Sequence, residues 1–224
     1  MVHPLALAAA AALAATAPRA EGRLVEEVVA VIRAPGTGQT RIITLTRLSE
    51  EARIALVSRG AIRAATAPLD AAALKAALAW LVDQTVIMDE VTRLQVFEVD
   101  RAEVLAELRQ FKDRFPGPEA YRAFLRRLDL AEEELLVVLR RMLRVQRYLD
   151  SRASRAGRVR DADVEDFYHQ HQADFGGRPL EEVREAVRAH LADRRVKAEV
   201  QAVVAELRGR AEIRVLMPLD EGVD

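Results

Sequence analysis

Apolar side chains recur along most of this chain with the spacing of one helix face. From Ala71 to Val96 they fall at Leu74, Leu78, Leu81, Met88 and Val91, with Thr85 in the remaining place, and Pro68 and Asp70 stand ahead as a start signal. The Asp-x-x-Glu form of Asp100 to Glu103 is a capping box that opens a helix to Asp113, with the stripe Val104, Leu108, Phe111 and Phe115. Pro116, Gly117 and Pro118 break the pattern, and a short helix follows with Tyr121, Phe124, Leu125 and Leu128. Asp129 to Glu132 offers a second capping box. It introduces a helix over Leu130–Ala153 that carries Leu135, Val138, Leu139, Met142, Val145, Gln146 and Leu149. Nearer the start, Thr46 caps a helix from Arg47 to Arg59, with Gly60 as its stop. Beyond a linker at Arg155–Arg160, Asp161 caps a short helix whose first turn holds Asp163 and Glu165, and helical periodicity resumes from Leu180 to Leu207.

Two regions follow a different rule. Leu24–Ile32 is rich in Val, Arg41–Leu45 carries Ile42, Ile43 and Thr44, and Pro35-Gly36-Thr37-Gly38 between them reads as a turn, so the pair predicts a β-hairpin. Ala211–Leu216 alternates and is short enough for a strand. A two-stranded hairpin is marginal alone, so this C-terminal strand is expected to join it. The fold class expected is therefore mainly α: a multi-helix core with a small antiparallel sheet made from the N-terminal hairpin and the C-terminal strand.

Composition sharpens this picture at three points. Aromatic residues make up 4% of the 224 residues, which favours long helices over a β-sandwich, and with a net charge of −1 nothing argues for nucleic acid or an anionic membrane surface. The absence of cysteine removes disulfides, thiol catalysis and cysteine metal sites. Leu5–Ala17 is an apolar run too short to span a bilayer. It ends in small residues, with Ala20 as a cleavage point, which is the form of a secretory signal peptide; an Ala-rich tail or a misplaced start is the alternative. Without a lipobox cysteine, no lipid anchor and no integral membrane segment is expected in the mature chain.

Candidate chemistry is sparse. His169 and His171 are two apart on a helix and point to different sides, so they do not chelate one ion, and His190 reads as a half-buried packing residue. Ser49, Ser58, Ser151 and Ser154 lie on helices or a linker, and no G-x-S-x-G, P-loop or G-x-G-x-x-G occurs. Asp161, Asp163, Glu165 and Asp166 are explained by a helix start. Neither catalytic residues nor a metal or other cofactor are expected. The aromatic and Met side chains concentrate at Phe97, Phe111, Phe115, Tyr121, Phe124 and Met142. Core packing is their default role, and the functional reading makes them candidates for a groove that takes unfolded polypeptide.

Several of these stretches resemble one family. The phrase V-V-A-V-I, a loop, then I-T-L-T-R-L is similar to the opening of SurA-type periplasmic chaperones. A-L-A-W-L-V-D-Q-T-V-I-M-D-E-V-T-R-L places Leu78, Leu81, Val82, Asp83, Glu90, Arg93 and Leu94 on that family's helix pattern, positions whose structural reading is core and surface ion pairs. Tyr168, His171 and Phe175 resemble the helix that leads into the family's prolyl-isomerase domain. Here only Gly176–Pro179 separates it from the returning helix, too few residues to hold a domain.

With a signal segment expected at 1–20, the resemblance implies a chaperone domain at 21–216 (an N-terminal part 24–155 and C-terminal helices and strand 161–216) and a tail at 217–224. It further implies an exported, periplasmic, ATP-independent holdase without isomerase activity. Its partners would be unfolded or extended polypeptides, outer-membrane β-barrels among them, with homodimerisation left open. A structural or assembly subunit of an envelope complex and a residual prolyl isomerase are the alternatives.

Overall fold

The alternating stretches near the two ends of the chain meet in one sheet. In the computed structural model, which describes residues 26–220, β1 (Val28–Arg33) is central, between β2 (Thr40–Thr44) and β3 (Glu212–Val215), and antiparallel to both. Ile32 pairs with Arg41 on one side and Ile213 on the other, and a bulge between Val28 and Ala30 shifts the register toward β2. Ala30, Ile32 and Ile43 are buried against the helices. The expected mainly α architecture with this small sheet is what the chain adopts.

Among the described residues eight helices follow the hairpin: α1 (Leu45–Ser58), α2 (Ile62–Thr66), α3 (Ala71–Leu94), α4 (Arg101–Asp113), α5 (Pro118–Arg127), α6 (Glu132–Ala156), α7 (Asp161–Gln170) and α8 (Leu180–Arg210), with a 3₁₀ turn at Gln172–Phe175. Their starts obey local chemistry, with three shifts from expectation. α1 begins directly after β2 and is capped by Thr44, whose Oγ1 accepts from Arg47 N at 3.3 Å, rather than by Thr46. α6 uses no Asp129 cap, because Asp129 sits in the turn at φ 48. Instead the Glu134 carboxylate reaches back to Ala131 N at 2.8 Å. Likewise Asp163 accepts from Arg160 N at 2.9 Å, so Arg160 takes the cap position in place of Asp161. An acidic side chain on the third helical residue satisfies an orphan N–H as well as a cap residue does. The capping box at Asp100 and Glu103 forms as expected.

α2 has no clear sequence signal. Its C-terminal end is held from another helix, since the buried Arg53 of α1 donates through Nη1 to Ala65 O at 2.9 Å and to Ala67 O at 2.7 Å. Charge-assisted bonds to helix-end carbonyls stabilise a piece too short to persist alone.

Two cores share the same helices. One lies between the sheet, α3 and the C-terminal half of α8, with Leu48, Leu74, Leu81, Ile87, Val203 and Leu207. The other lies among α1, α4, α5 and the first half of α6, with Ile54, Leu108, Phe111, Phe124, Leu135 and Leu139. α6 joins them, since its later residues Val145 and Tyr148 belong to the first. α3 is long and apolar enough to cross a membrane by length and composition. Here it packs against α1, α6 and α8. Its Leu78, Leu81 and Val82 are buried, Asp83 pairs with Arg208, and Glu90 pairs with Arg93 at 2.6 Å. Leu94 stays exposed.

At about 1.5 Å per residue the 31-residue α8 is roughly 46 Å long, more than the first core needs. Its N-terminal half packs on α7 through Val164, Val183 and Val187. Gly176 and Gly177, at φ 60 and 79, let the chain reverse between the 3₁₀ turn and α8, a conformation that penalises a Cβ. Residues 217–220, expected as tail, belong to the fold: Leu219 is buried in the first core and Asp220 pairs with Lys75 at 3.2 Å. The expected signal segment at 1–20 lies outside the described residues.

Candidate polypeptide-binding site

The six aromatic and Met candidates do not line one groove. Phe111, Phe115, Tyr121 and Phe124 pack on each other with ring centroids 5.3 to 6.5 Å apart, and all four are buried in the second core. Met142 is partly buried against the same cluster. Phe97 lies elsewhere, against the first core, with its ring edge-on to Tyr148 at 5.9 Å. The structure spends Phe111, Phe115, Tyr121 and Phe124 on packing, where α4, α5 and α6 meet.

Phe115 and Tyr121, though buried, form part of the wall of a cavity shared with Lys112, Pro118, Leu125 and Glu132. There Tyr121 Oη donates to Glu132 Oε2 at 2.8 Å and Lys112 Nζ meets the same oxygen at 2.7 Å. Lys112 holds the Glu132 carboxyl below the ordinary range against the opposing effect of burial, and the Tyr121 hydrogen bond adds to it. Burial first, and then the Glu132 carboxylate, push the Tyr121 phenol up. A phenol shifted that way keeps donating to the carboxylate, which ties α5 to the start of α6.

A second cavity, of about 210 Å³, runs beside β2. β2 contributes Arg41 and Ile43, α3 contributes Thr85, Met88 and Asp89, and α6 contributes Val137 and Arg141. β2 is the sheet's edge and pairs only with β1. Because Leu45 N donates to Glu27 O and Ala34 N to Gln39 O, the odd-numbered residues of β2 hydrogen-bond toward β1. The main-chain groups of Thr40 and Ile42 therefore point to the open edge. Ile42 is 51% exposed, and its carbonyl receives only a long 3.5 Å contact from Arg47 Nη1. Val137, across the cavity, is 70% exposed.

Electrostatics here centre on Glu51, buried on α1. It accepts from Arg47 Nε at 3.1 Å and from Arg141 Nη1 at 2.9 Å, with Arg141 Nη2 on its other oxygen. Arg141 Nε is buried and has no hydrogen-bond partner among the described residues. Asp89 is committed to the hairpin loop: it accepts from Gly36 N at 3.1 Å and from Thr37 Oγ1. A Cβ on Gly36 would come within 2.6 Å of that carboxylate, so a larger residue there would push Asp89 out of its present hydrogen bonds. Three guanidinium groups (Arg41, Arg47, Arg141) thus face two carboxylates, and Arg41 forms no ion pair among the described residues.

Of these groove residues, the sequence singles out Thr85 and Met88 only as members of a helix stripe and Ile43 only as a strand residue. Arg41, Arg47, Glu51, Asp89, Val137 and Arg141 carry no motif, since hairpin, α1, α3 and α6 must be folded before they meet.

Among the described residues no group of three or more His, Cys, Asp or Glu side chains could hold an ion. His171 stacks on Phe167 at 4.0 Å. His190, expected to be half-buried, is exposed, because the short α7 reaches it only through Phe167, 5.5 Å away. Comparison of the chain with protein-family models, with curated proteins and with solved structures finds no match.

Proposed function

We propose that this chain is an exported, ATP-independent holdase that binds unfolded or extended envelope polypeptides, without prolyl isomerase activity. The observation that carries the reading is the groove beside β2. It is an open, mixed apolar and cationic cleft along an unpaired strand edge, which suits a client presented as extended chain. Binding through a short edge and a shallow cleft is weak per contact, so clients leave without an energy source. The similarity of the hairpin, the long α3 and the α7 phrase to SurA-type chaperones supports the periplasmic setting and outer-membrane β-barrels as the client class. The test is to dilute a urea-unfolded β-barrel protein into buffer with and without the full chain and follow light scattering, beside a client that lacks β-barrel character. Suppression at near-stoichiometric ratios, greater for the barrel, is the expected result. Unchanged scattering for both clients would refute the holdase reading.

A second reading is a fixed assembly partner in an envelope complex. Val215 and Leu216, both 58% exposed, lie together at one end of the sheet and favour it. A mass on a sizing column that rises with concentration, with no affinity for varied peptides, would select this reading.

A further inference from the structure

We propose that the client adds to the sheet as a fourth strand on the open edge of β2, and that this edge selects extended segments bearing an acidic side chain. The inference rests on the holdase reading and specifies how the client is held.

Three observations converge on this edge. Thr40 and Ile42 each present an N–H and a C=O that no strand takes up. Main-chain pairing is the one interaction that every extended polypeptide can make whatever its side chains, which is what tolerance for varied clients requires. Second, the cavity lies where alternate side chains of an added strand would fall, with Met88, Ile43 and Val137 as apolar lining. Its volume of about 210 Å³ has room for client side chains but not for a folded element. Third, the local charge is unbalanced toward positive. Arg141 and Arg47 share the single carboxylate of Glu51, Asp89 is occupied by the loop, and Arg41 stands unpaired among the described residues. A client carboxylate beside Arg41 supplies the missing counter-charge.

The opposite edge of the sheet is a poorer host. On β3, Glu212 and Arg214 pair with each other and leave no charge surplus. Charged side chains of that kind blunt an edge against pairing.

The experiment uses the full chain and a short fluorescein-labelled peptide of alternating Val and Thr around a central Glu, read by anisotropy. Two versions are N-methylated on alternate residues, one on the odd positions and one on the even. A strand added to one edge turns only every second N–H toward β2. One methylated version should therefore lose about tenfold or more in affinity, the worth of one or two net hydrogen bonds, while the other binds like the parent. Arg41→Glu should weaken the Glu peptide and strengthen a version with Lys in its place. Equal responses of the two methylated peptides, in either direction, would overturn strand addition, and an unchanged Glu-to-Lys preference in the Arg41→Glu protein would overturn the charge selection. If scattering is still suppressed when either fails, the holdase reading stands and only its mode is wrong. Loss of suppression itself removes the holdase reading.

Discussion

Phe111→Ala separates a packing role from a binding role for the aromatic cluster. Phe111 has no solvent exposure, and its ring lies within 6.5 Å, centroid to centroid, of Phe115, Tyr121 and Phe124. Truncating a fully buried Phe costs about 3–5 kcal/mol, from the transfer of the ring and the cavity left behind. Three aromatic neighbours place this site in the upper half of that range, about 4 kcal/mol, because each ring pair adds to the area term. With a urea slope of about 2 kcal/mol/M, the unfolding midpoint should fall by about 2 M. Phe111→Leu, which keeps most of the volume, should lose far less. The assay is equilibrium urea unfolding followed by far-ultraviolet circular dichroism, beside the scattering assay at low temperature, where the variant is still folded. A core role predicts a large midpoint shift with client suppression retained. A midpoint within about 0.5 M of the parent together with lost suppression would refute it and return the ring to the client-binding surface.

Two further outcomes test the electrostatics. Glu51→Gln leaves Arg141 and Arg47 facing an amide, and it should cost about 3 kcal/mol in the same urea assay, the low end for breaking a buried pair because Arg47 remains 41% exposed; a loss under about 1 kcal/mol would show that the pair contributes little. Glu50 is shifted upward, first by burial and then by Glu134, Glu51 and Glu26. A carboxyl whose folded pKa lies above its unfolded one contributes stability that is complete below the unfolded value and lost as pH rises through the folded value. Glu50→Gln should therefore raise the melting temperature at pH 7 and bring little gain near pH 4, and a uniform change across that range would contradict the burial of this group.

How much of this molecule was legible depends on how local each signal is. α3, α4 and α8 were readable because their stripes and start signals lie within a few turns of sequence, and Asp100 with Glu103 forms its capping box wherever the rest of the chain goes. The third strand was readable less directly: a lone hairpin needs a neighbour, and Glu212–Val215 was the alternating stretch left to supply one. Composition and periodicity identified which residues are aromatic and where they cluster. They could not say which side of Phe111 or Tyr121 would be covered, because that depends on α5 folding back over α4 and on α6 closing the cluster.

The starts of α6 and α7 moved by a residue or more because acidic side chains three positions inside each helix compete equally well for the same N–H groups. α2 is held because Arg53, on a different helix, donates to the carbonyls at its end. The groove is the extreme case. Arg41, Glu51, Asp89 and Arg141 are distant in sequence and ordinary as surface charges, and their chemistry arises only when the hairpin docks on α3 and α6 crosses α1. Helices and strands follow from interactions among neighbours in the chain, whereas a binding surface follows from which faces remain uncovered after those elements pack, and that is a property of the tertiary structure alone.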